Sequence, residues 1–99
     1  MKGYKGFNKD MTCKGFQYEV GKEYEYKGDI KLCHSGFHFC ENPLDVLDYY
    51  ALCNSVFYEV SSGEEIKKAD KYDSKIVTNK LKIEAKLSLS NFIIASINF

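Results

Sequence analysis

Apolar side chains recur at every second position over much of the chain. Phe16, Tyr18 and Val20 alternate with polar residues, Gly21-Lys22 interrupts the rhythm, and Tyr24 and Tyr26 resume it, which predicts two strands joined by a tight turn. Tyr4 and Phe7 before the turn-prone Asn8-Lys9-Asp10 predict a short strand that leaves into a loop. After Gly28-Asp29, Ile30 and Leu32 precede a second turn at Ser35-Gly36. Phe37 and Phe39 then share one strand face, and His38 and Cys40 take the other. Val56, Tyr58 and Val60 alternate again, and Leu81, Ile83, Ala85 and Leu87 alternate with Lys82, Glu84 and Lys86 in the cleanest half-buried strand pattern present.

The period changes once. Asn42 stands as an N-cap before Pro43, Asp45 occupies the first turn, and Leu44, Leu47, Tyr50 and Ala51 recur at three and four residues. This predicts the one main helix, lying on the sheet. The charged stretch from Ser61 to Asp73 reads as a solvated excursion, and Phe92 to Phe99 as a strand buried on both faces. The expected fold is α+β: a twisted, mostly antiparallel sheet with one main helix packed on it, in a single domain spanning residues 1–99.

Composition narrows the function classes. Fourteen basic and fourteen acidic residues give zero net charge, so the sequence-independent attraction to phosphate is missing and strong nucleic-acid binding is not expected. The balance equally argues against an acidic DNA mimic. No apolar run approaches the roughly 20 residues that span a bilayer. The N-terminal Met1-Lys2-Gly3-Tyr4-Lys5-Gly6 leads into no secretory apolar segment, so a cytoplasmic location is expected, with Cys13, Cys33, Cys40 and Cys53 as free thiols.

Two thiols and two imidazoles fall within Cys33-His34-Ser35-Gly36-Phe37-His38-Phe39-Cys40. Sulfur and imidazole nitrogen suit zinc, but on a strand only His38 and Cys40 share a face, and the spacing is not that of a zinc knuckle. The plainer reading makes Cys33 and Cys40 small core residues and His38 a hydrogen-bonded strand residue. A thiol activated by a neighbouring histidine, Cys33 or Cys40 with His34 or His38, is a second chemistry for which no pair stands out. No catalytic residue, metal ligand or cofactor is therefore assigned. Eight tyrosines supply large area with a polar tip. Of these, Tyr24, Tyr49 and Tyr72 are expected to be exposed as a partner-binding set.

Three segments, Tyr4-Lys5-Gly6-Phe7-Asn8-Lys9-Asp10, Gly15-Phe16-Gln17-Tyr18-Glu19-Val20-Gly21 and Gly36-Phe37-His38-Phe39-Cys40-Glu41-Asn42-Pro43, resemble an uncharacterised family of small phage and prophage proteins and of N-terminal domains of larger bacterial ones. The resemblance implies a mobile-element origin. A weaker likeness is to the ADP-ribosyltransferase fold, in which a strand opening with Tyr-Arg-Gly precedes a strand that feeds a helix. Here Lys5 replaces the expected Arg or His, and Gly36-Phe37-His38-Phe39 replaces the Ser-Thr-Ser signature. Resemblance and composition together imply a protein-binding module acting on a host protein or complex, for instance as an inhibitor of a bacterial defence nuclease such as a CRISPR effector. Such a module would bury on the order of 800 Å² per partner. The alternatives are a reduced ADP-ribosyltransferase-like enzyme or nucleotide-binding domain, with His38, Glu59 and Glu84 as cleft candidates, and a zinc-stabilised structural module.

Overall fold

The computed structural model describes residues 1–32, 35–68 and 74–99. Nine strands and two helices follow in chain order: β1 (Lys2–Asn8), β2 (Thr12–Cys13), β3 (Phe16–Gln17), β4 (Glu23–Glu25), β5 (Phe37–Cys40), α1 (Pro43–Val46), β6 (Ser55–Ser62), β7 (Ile66–Lys68), β8 (Lys75–Thr78), β9 (Lys80–Leu87) and α2 (Leu89–Asn98). Seven strands form one sheet in the order β4-β9-β6-β1-β5-β8-β7, with every pairing antiparallel, and β2 and β3 form a separate two-stranded ribbon. The α+β class expected from the alternating pattern is the class observed.

The central strand β1 is paired with β6 along its whole length, from Lys2 opposite Ser61 to Asn8 opposite Ser55. On its other side β1 meets β5 at one register position only, Tyr4 opposite Cys40. Beyond Tyr4 the two strands part. Lys5 crosses the gap, its Nζ donating to the His38 carbonyl oxygen, and the ring of Tyr50 lies over Gly6, where an added Cβ would come within 2.8 Å of it. Glycine at position 6 lets an aromatic ring close the opening. At Gly36, φ is +98°, and a Cβ would meet the Thr78 carbonyl oxygen at 2.9 Å, so the turn into β5 requires glycine on both counts.

Both sheet faces are covered, which is why neighbouring strand residues serve different cores. Phe7, Cys13, Tyr18, Phe37, Phe39, Tyr58, Val60, Ile76, Leu81 and Ile83 make the larger cluster. Cys40, Val46, Phe57 and Phe92 make the smaller one beneath the helices. Phe57 and Tyr58, one residue apart on β6, point into opposite clusters as the strand period requires. The large cluster is held by edge-on and tilted aromatic contacts, among them Phe7 with Tyr58 at 5.5 Å and Tyr18 with Tyr24 at 5.1 Å between ring centroids.

Four elements differ from the sequence expectation. The two strands expected on either side of Gly21-Lys22 form but are not partners, because β3 pairs with β2 and β4 with β9. The helix after Asn42 does start where the cap predicts, with Leu44 N–H donating to Asn42 Oδ1 at 3.0 Å, but regular helix ends at Val46. Its buried residues are Pro43 and Val46, whereas Leu44 and Ala51 of the predicted stripe are exposed. Leu47 and Tyr50 of that stripe do pack on the smaller core, and the Tyr50 ring lies over Gly6. The segment expected as a final buried strand is instead the longer helix α2, capped by Ser88, whose Oγ accepts from Asn91 N–H at 3.1 Å. A short apolar run does not by itself separate a strand from a helix, and the cap decides it. Within the stretch read as a solvated excursion, Ile66–Lys68 is the edge strand β7, paired with β8, and its lysines suit an edge. Among the described residues no helix is long and apolar enough to cross a membrane.

Candidate functional site

The parting of β1 and β5 opens a cleft. Its inner compartment, about 90 Å³, is lined by Tyr4, Lys5, Gly6, Cys13, His38, Cys40, Tyr50 and neighbouring residues including Lys14, Tyr49 and Lys75. A wider outer compartment of about 470 Å³ shares Lys5, Cys13, Lys14 and His38 and continues along Phe16, Tyr18, Tyr24 and Tyr26. Four cationic or basic side chains thus ring the inner space, which has no carboxylate among its described lining residues.

Lys5 is the centre of this arrangement. Strand β1 directs it inward between Gly3 and Phe7, so its stem lies against Phe7 and Tyr18, with Nζ 5.6 and 5.8 Å from the two ring centroids. Only 6 % of the residue is exposed. Burial holds its pKa below the ordinary lysine value, with the nearby Cys13 opposing that shift. Cys13 itself is presented by the β2–β3 ribbon, whose turn takes positive φ at Lys14 (51°) and Gly15 (79°). Tyr50 completes the group: its hydroxyl donates to Cys13 Sγ at 2.8 Å. Burial first, and then that hydrogen bond, raise the Tyr50 pKa, so the hydroxyl keeps its proton.

His38 lines both compartments. Desolvation, followed by the charges of Lys75, Lys5 and Lys14, lowers its pKa from 6.5 to about 4, so the ring is neutral at physiological pH. Glu59 and Glu84, expected to share a cleft with it, line a different hollow together with Glu41, Lys2 and Phe99. The structure therefore brings the two carboxylates together and leaves His38 with lysines and thiols.

The three tyrosines singled out for partner binding also separate. Tyr49 is exposed, with Lys75 Nζ 4.3 Å from its ring centroid. Tyr24 is half-buried in the aromatic cluster, and its hydroxyl oxygen accepts from Glu19 N–H at 2.8 Å. Tyr72 lies outside the described residues, as do Cys33 and His34 of the candidate zinc set. Among the described residues no group of three or more His, Cys, Asp or Glu side chains is placed to hold a metal. Cys13, Cys40 and Cys53 are free thiols, the first two buried and the third exposed.

A second surface lies on α2. Phe92 is its anchor, 1 % exposed and stacked on Phe57 at 4.2 Å between centroids. Leu89, Ile93 and Ile97, spaced by one turn, are exposed together with Ile94 and Phe99, and Ile97 is 77 % exposed. No charged residue occurs from Ser88 to Phe99. Sequence reasoning missed both features, because Lys5, Cys13 and Tyr50 are far apart in the chain and the isoleucines of α2 read as strand.

The chain belongs to the family of a domain of unknown function, DUF7666, which matches residues 1–95. No curated protein and no solved structure matches it.

Proposed function

We propose that this domain is a protein-binding module and that the outward face of α2 is its contact surface. The observation that carries the reading is the exposed, uncharged stripe of Leu89, Ile93, Ile94 and Ile97 on a helix anchored by the buried Phe92. Contiguous apolar surface of this kind is unusual on an isolated soluble domain and is typical of interface cores, which are depleted in charge. Helix α1, which bears the exposed Leu44, packs against α2. The finer proposal, that the partner is a host protein inhibited by a mobile-element product, rests on the likeness to phage proteins. Affinity capture with the wild-type chain and with an Ile93→Glu/Ile97→Glu variant tests the surface. Partners retained by the wild type and lost by the variant, at unchanged melting temperature, are expected; identical retention by both proteins would remove α2 from the reading.

A second reading, nucleotide binding, is favoured by one specific observation: Lys5, Lys14, His38 and Lys75 surround a cleft with the Tyr49 and Tyr50 rings beside them. Cations and aromatic faces together suit a phosphorylated, flat ligand. Calorimetric titration with NAD and with ATP checks it. Heat of binding that vanishes in Lys14→Ala supports this reading, and absence of heat with either ligand ends it.

A further inference from the structure

Charge and aromatic surface are segregated along the β1–β5 cleft. The inner compartment is lined by Lys5, Lys14, His38 and Lys75, with no carboxylate among its described lining residues. The outer compartment adds the rings of Phe16, Tyr24, Tyr26 and Phe37 and one carboxylate, Glu25. We infer, resting on the nucleotide-binding reading, that the cleft takes a nucleoside monophosphate with its phosphate end inward, against Lys5 and Lys14, and its base among the outer rings.

Lys5 marks the phosphate end. Only 6 % exposed, it donates to the His38 carbonyl oxygen and meets the Phe7 and Tyr18 rings, and among the described residues no carboxylate pairs with it. A buried cation without a counter-charge is costly, and a phosphate would supply that charge while favouring the ammonium form that burial disfavours. Lys14, exposed in the β2–β3 turn, lines the same space, so a second cation meets the ligand from a separate element. The outer end suits a base. Phe16 is 46 % exposed although its ring meets Tyr24 at 5.6 Å and Phe37 at 6.2 Å between centroids, which leaves ring surface on which a base can stack. Glu25 repels phosphate from this end and can accept from a sugar hydroxyl or an exocyclic amine. A dinucleotide such as NAD, whose phosphates both lie within its bridge, has no terminal phosphate to place inside.

Calorimetric titration of the intact chain with AMP, adenosine, inorganic phosphate and NAD tests this orientation. AMP is expected to bind about tenfold more tightly than each of the other three, since it alone fills both ends of the cleft. Lys5→Met is expected to weaken AMP and inorganic phosphate together, by about tenfold. Phe16→Ala should weaken AMP by about tenfold and leave inorganic phosphate unchanged. Lys14→Ala, at an exposed position, is a second phosphate-end variant with the same expected direction as Lys5→Met, and near-ultraviolet dichroism verifies that each variant is folded. NAD binding as tightly as AMP, or an AMP affinity unchanged in a folded lysine variant, would overturn the phosphate-inward orientation and leave nucleotide binding in place. Absence of heat with all four ligands would overturn both.

Discussion

At the residue scale, the cleft places a neutral histidine among cations. Because the folded-state pKa of His38 is about 4 against 6.5 ordinarily, the unfolded chain binds more protons between those values, and stability must rise with pH across that window. Acidification from pH 7 to pH 4.5 is therefore expected to lower the melting temperature. His38→Asn should flatten this part of the profile, as scanning calorimetry at several pH values would show. Asp10 and Glu84 act lower down. Hydrogen bonds from Thr12 and from Ser61, respectively, depress their pKa values below the ordinary 3.8 and 4.5, so their stabilising contribution is lost only as pH falls further. A profile that stays level from pH 7 to pH 4.5 in the wild type would mean that His38 is not desolvated.

At the element scale, α2 is attached through one large side chain. Phe92→Ala removes the stack on Phe57 and leaves a void in the smaller core, at an expected cost of about 3–5 kcal/mol in urea unfolding. Ile97→Ala on the same helix should change stability by less than about 0.5 kcal/mol, because its side chain meets solvent. The contrast also shows what the sequence could reveal. Strand alternation at Val56-Phe57-Tyr58-Glu59-Val60 and at Leu81-Lys82-Ile83-Glu84 was legible, since each face meets a different environment along the whole strand. The stripe Leu44, Leu47, Tyr50 and Ala51 misled in part because helical spacing assumes a continuing helix, and regular helix stops at Val46. The three isoleucines after Ser88 carry strong β preference and read as strand, while the cap that Ser88 supplies shows only in the structure.

At the scale of the whole molecule, one sheet serves two different purposes. Its β1–β5 parting encloses Lys5, Cys13 and Tyr50, and its opposite face seats α2 so that an uncharged apolar surface points outward. The cleft could not be read from local sequence, because residues 5, 13, 38 and 50 lie on four separate segments that meet only in the folded chain. Little of the candidate site was legible, because His38 lies at the β1–β5 cleft and the carboxylates grouped with it, Glu59 and Glu84, line a different hollow. The central claim, that α2 is a contact surface, is tested most directly by a photoreactive phenylalanine analogue placed at Ile97 and, as a control, at the exposed Lys27, in the cells that normally make the protein. Irradiation is predicted to yield a discrete adduct with another polypeptide from position 97 and none from position 27. Equal adducts from both positions, or none from position 97, would contradict it.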